Sequence, residues 1–116
     1  MKFYLLASAF FLSACSMTLP VNGNIGNDRF LGEATGYLTG KGKIQIRTEN
    51  NDVCDGKFKY TSSRKSGSGT FYCESGRDGT FQFTSSGTAG RGFGKTSDGE
   101  KFNFTFGNPT ARVESF

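Results

Sequence analysis

The chain has 116 residues, with 17 glycines, 13 phenylalanines, no histidine, no tryptophan and a formal net charge of +4. That length is one small domain. The lack of histidine excludes a Ser-His-Asp triad and any His-based metal site.

Lys2 precedes an apolar run from Phe3 to Leu12, which ends in Leu12-Ser13-Ala14-Cys15. A basic start, a short apolar core and small residues before a cut describe an export signal. The run is too short for a membrane-crossing helix, which needs ~20 residues. Leu12 to Cys15 resembles the bacterial lipobox, whose cysteine is lipidated and becomes the first residue of the mature protein. The resemblance implies a signal peptide over 1–14, an acylated Cys15 held by membrane lipid, and a place in the bacterial cell envelope. Ser16 rather than Asp after the cysteine resembles an outer-membrane address, facing the periplasm. Without the signal, 13 basic and 10 acidic side chains remain. Such a balance suits an anionic envelope polymer or surface, or an envelope protein. Nucleic acid is not an expected partner for an exported chain.

Residues 16–28 have no period and many turn formers, so 15–29 reads as the lipidated N-terminus and a flexible tether. Aliphatic residues are scarce beyond it, so the core must be Phe and Tyr, which favour strands. Seven strands are predicted, over about 30–38, 42–48, 54–61, 68–74, 79–85, 91–96 and 101–107. Short turns join them, giving an all-β antiparallel meander over 30–107, either a curled single sheet or a small barrel. Residues 108–116 read as a tail.

The chain repeats itself from Cys54 onward. Phe58, Phe81 and Phe104 are 23 residues apart, as are Tyr60, Phe83 and Phe106. Gly67 and Gly69 recur as Gly90 and Gly92, and Gly76 recurs as Gly99. Gly40 and Gly42 lie 27 residues before Gly67 and Gly69, which places about four extra residues in the polar turn 48–52. Aromatic residues alternating with polar ones put the rings on one strand face. Glycine opposite an aromatic lets the ring fold over the neighbouring backbone. Gly76 and Gly99 mark turns that need positive φ.

With Cys15 lipidated, Cys54 and Cys73 remain. Two cysteines in an oxidising compartment pair, and these share one parity on neighbouring strands, beside the aromatics. That leaves no free thiol nucleophile and too few ligands for a metal.

The 23-residue period and the Gly-x-Gly spacing resemble the MORN repeat, over Cys54 to Gly107. That likeness implies hairpin units stacked into a single curled sheet. The chain as a whole is similar to small bacterial lipoproteins with Gly/Phe-rich β-domains. Phe71-Tyr72-Cys73 before a glycine turn resembles the lysozyme-inhibitor lipoproteins, which implies a periplasmic binding or inhibitor domain as the alternative function.

The carboxylates mostly sit in turns beside Gly or Asn, and no pair is placed for acid–base work. A non-catalytic structural or interaction module without cofactor is therefore the expected function. Lys57, Lys59, Arg64 and Lys65 form a basic cluster. The two lysines have opposite parity to Phe58 and face away from the aromatics, so the cluster is the candidate anionic-surface patch.

Overall fold

The structure, a computed structural model, describes residues 16–63, 65–86 and 88–107. The signal peptide, Cys15, Arg64 and the tail 108–116 lie outside the described residues. Eight antiparallel strands follow one another in chain order and close into a barrel. They are β1 (Ser16–Ile25), β2 (Asp28–Tyr37), β3 (Lys41–Thr48), β4 (Val53–Tyr60), β5 (Ser66–Cys73), β6 (Asp78–Ser86), β7 (Ala89–Thr96) and β8 (Lys101–Phe106). Seven match the predicted strands to within two residues at each end.

The eighth corrects the sequence reading. The segment expected as a tether is β1, paired with β2 from Ser16↔Tyr37 to Ile25↔Asp28, and with β8 from Val21↔Phe106 to Ile25↔Phe102. Its inward residues do alternate, as Val21, Gly23 and Ile25. Gly23 sits against Phe104 and leaves no apolar side chain to mark the period. Pro20 sits at the end of the ladder to β8, where its carbonyl accepts the Gly107 N–H at 3.0 Å and its missing N–H forfeits only the last rung.

The aromatics line the interior. Phe71, Phe81, Phe83, Phe102 and Phe104 are buried with Val21, Ile25, Phe30, Ile44, Ile46 and the two cysteines. Most inward phenylalanines face a glycine on a neighbouring strand: Phe58↔Gly42, Phe81↔Gly69, Phe83↔Gly67, Phe104↔Gly92 and Phe106↔Gly90. A Cβ on Gly69 would stand 2.6 Å from the Phe81 ring, closer than packed atoms allow. The glycines thus make room for rings inside a barrel of this strand number.

The repeat also builds three identical turns at one end. In Thr48–Asp52, Cys73–Arg77 and Thr96–Glu100 the first residue's N–H donates to the fifth carbonyl, at 2.9, 2.7 and 2.9 Å. The fourth residue, Asn51, Gly76 or Gly99, has φ of +66°, +102° or +95°. The turn 48–52 is therefore no longer than the others, which corrects the expected insertion site. The four extra residues are split between β3 and β4. Gly42 to Thr48 spans six positions against four from Gly69 to Cys73, and Asp52 to Phe58 spans six against four from Arg77 to Phe81. A change of two per strand keeps every side chain on its own face.

Candidate functional site

The barrel has two unlike ends. The floor carries the three identical turns and the β1–β2 turn. The mouth carries Ser16, the turns after Tyr37 and Tyr60, and Phe106.

Asp52, Arg77 and Glu100 occupy equivalent positions of the three floor turns, and their side chains meet. Arg77 reaches Asp52 at 2.9 Å, Asp28 at the start of β2 at 3.0 Å and Glu100 at 3.6 Å. Asp52 also accepts hydrogen bonds from the Ser75 hydroxyl at 2.6 Å and the Ser75 backbone N–H at 3.0 Å. Burial pushes the Asp52 pKa up, but the bonds from Ser75 and Arg77 outweigh it and hold the carboxyl below its ordinary range. Burial likewise lowers the Arg77 pKa, and bonds to Asp52 and Asp28 reverse the sign and raise it. The cluster closes the floor over Ile25. The 23-residue repeat carries the signal for Arg77 and Glu100, but nothing in the sequence says that they touch.

Cys54 and Cys73 are bonded to each other, directly opposite on β4 and β5 with Cα atoms 3.8 Å apart. Both face the interior beside the aromatics. Among the described residues, Asp52 lies close to the two sulfurs, a grouping of metal-ligand types. The sulfurs are tied up in the disulfide and are not available as thiolate ligands.

The mouth is open. Phe58, Tyr60 and Phe106 are only partly buried, and they wall an apolar cavity of about 270 Å³ with Phe83, Ala34 and Gly36. Ile44, Phe81 and Phe104 form its base, and Ser16, Met17, Leu19, Tyr37 and Leu38 its lip. Phe83 holds the wall together through edge-on contacts to Phe58 and Tyr60, with centroids 5.3 and 5.5 Å apart. Gly36 differs from the glycines facing rings. A Cβ there would meet nothing nearer than the Tyr60 hydroxyl at 3.5 Å. The sequence assigned all these aromatics to the core, and no periodicity distinguishes a packed layer from an open one.

Acidic residues are concentrated at the floor, where Arg29, Arg47, Arg77, Lys95 and Lys101 also lie, while the mouth half is basic. Asp28, Glu49, Asp52, Glu74, Asp78, Asp98 and Glu100 all lie at or beside the floor turns. Lys41, Lys43, Lys57, Lys59, Lys65 and Arg91 are exposed in the mouth half, while Glu33 and Asp55 sit at mid-height beside Gln45. Lys57 and Lys59 point outward as the sequence implied, and Lys65 is exposed in the turn after β4. The sequence missed Lys41 and Lys43, which stand directly across from Lys59 and Lys57. The signal was the matching Lys-x-Lys in β3, and only the register joins the two pairs.

The fold and its cavity define an eight-stranded antiparallel barrel, sealed at the floor and open at the mouth. No protein-family model and no curated protein matches the chain. In fold it is similar to a de novo designed fluorescence-activating β-barrel, with a TM-score of 0.59 and 12% identity, over 78% of this chain and 90% of that one.

Proposed function

We propose that this chain is a non-catalytic, lipid-anchored protein of the bacterial envelope, an interaction module held to the membrane by acylated Cys15 with its mouth toward the lipid surface. One observation carries the reading. Ser16, the residue after Cys15, lies on the lip of the mouth, and the apolar lip and exposed lysines share that end. Met17 and Leu38 are 54% and 70% exposed there. Like charges directly opposite on neighbouring strands destabilise a sheet, so Lys41/Lys59 and Lys43/Lys57 are costly unless they serve something outside it. An anionic surface is such a purpose, at ~1 kcal/mol per nearby cation. Two or more acyl chains on Cys15 would supply the firm part of the attachment.

Two measurements test it. The parent should fractionate with outer membrane after globomycin-sensitive processing, and a Cys15→Ala protein that stayed in the membrane would count against the anchor. The mature chain without lipid should bind anionic vesicles at low salt and release them at high salt. Changing Lys41, Lys43, Lys57, Lys59 and Lys65 to Ser should remove that binding. The alternative inhibitor reading is disfavoured because lysozyme, like this mouth, is cationic. A single stoichiometric soluble partner recovered from envelope extract would restore it.

A further inference from the structure

We propose that the mouth cavity is a binding site for one linear acyl chain, taken end-on, with its anionic head left among the lysines of the rim. The inference rests on the cavity and not on the anchor at Cys15.

The cavity is blind. Phe102, beneath its base, is 1% exposed, and the Arg77 cluster closes the floor beyond it. A ligand therefore enters and leaves by the mouth alone. The walls are aromatic rings held edge-on to one another, so the lining is a rigid apolar surface. A water's share of liquid volume is ~30 Å³ and a methylene is of similar size, so about 270 Å³ holds roughly nine carbons. Barrels of this strand number have room for one small ligand. The inner wall offers few polar groups, so specificity at depth is for apolar chain. Lys41 and Lys59 stand on the outer face at the mouth end and Lys65 in the turn after β4, so their long side chains are the nearest cations to a head group left outside the cavity. A carboxylate and a phosphate share that chemistry, from a free fatty acid or from a membrane lipid.

Gly36 gives the test its handle, since its face toward the cavity is open. The chain from residue 15 onward, with Cys15→Ala, contains all eight strands and is titrated calorimetrically with carboxylates from hexanoate to hexadecanoate. Binding should be one-to-one and strengthen about fourfold per added methylene, levelling off near nine or ten carbons. Decanol should bind more weakly than decanoate. A ten-carbon lysophosphatidylglycerol is run beside decanoate: binding of the first alone assigns a membrane lipid, of the second alone a free fatty acid, and of both the shared chain. Gly36→Phe and Gly36→Leu should each weaken decanoate at least tenfold while melting no lower than the parent. Absence of saturable binding by either probe, affinity that keeps rising past twelve carbons, or parent-like binding by a folded Gly36→Phe would each overturn the site. Failure of the anchor reading would appear only in the fractionation experiment.

Discussion

Gly67 stands directly across from Phe83 on the inner wall, and the Phe83 ring covers the place a Gly67 Cβ would take. The ring lies there because the backbone beside it is bare. A valine at this position has to displace both the Lys59 carbonyl and the ring, which it pushes toward Phe58 and Tyr60. Overpacking of this kind costs ~1–3 kcal/mol. Gly67→Val should therefore lower the urea midpoint, whereas Gly36→Ala, with its open face, should leave it nearly unchanged. Equal losses at both positions would mean that the glycines serve the backbone and not the rings.

Phe81 and Phe104 occupy equivalent places in successive hairpins, with centroids 5.5 Å apart and edges perpendicular. Each is almost fully buried. Phe81→Ala and Phe104→Ala should each cost ~3–5 kcal/mol, enough to unfold much of so small a domain. Because the rings touch, the double variant should lose less than the sum of the two single losses.

The Cys54–Cys73 bond closes a loop across 19 positions, worth ~3 kcal/mol by chain entropy. Alkylation of the native protein followed by mass spectrometry should find neither thiol free. A Cys54→Ala/Cys73→Ala protein should melt well below the parent, and melting unchanged by reduction would show that the bond contributes nothing.

The floor cluster predicts acid sensitivity. The Asp52 pKa lies below its ordinary value in the folded chain. As pH falls, the unfolded chain therefore takes up the proton first. The stabilisation is complete above the ordinary carboxylate pKa of ~3.9 and is lost as pH drops through the lower folded value. Melting followed from pH 6 to pH 2 should show this loss in the parent and a flatter profile in Asp52→Asn. Arg77→Met leaves Asp28 and Asp52 without their shared partner, and loss of hydrogen bonds to charged groups should cost ~2 kcal/mol at pH 7. Arg77 itself, with a raised pKa, stays charged throughout that window.

Much of the fold is legible in the sequence because period-two alternation and glycine turns are local signals. The aromatic-x-aromatic pairs mark β4, β6 and β8, and their parity alone sets Cys54 and Cys73 on the aromatic face. Gly76 and Gly99 mark two floor turns through the positive φ that each adopts. Asn51 plays the same part in the third turn, and its side chain hides it from a search for glycine.

What tertiary structure decided is whatever depends on the far side of the barrel. β1 has too little apolar pattern to declare itself, and it is a strand because β2 and β8 offer ladders on both sides. Closure of the sheet follows from that pairing. Asp52, Arg77 and Glu100 lie far apart in the chain, and they become a cluster only when closure brings the turns around one axis. The register across β3 and β4 joins two Lys-x-Lys motifs into one patch. The mouth cavity belongs to the same class: composition can require that rings face inward, but only the curvature of the closed wall leaves the last layer unfilled.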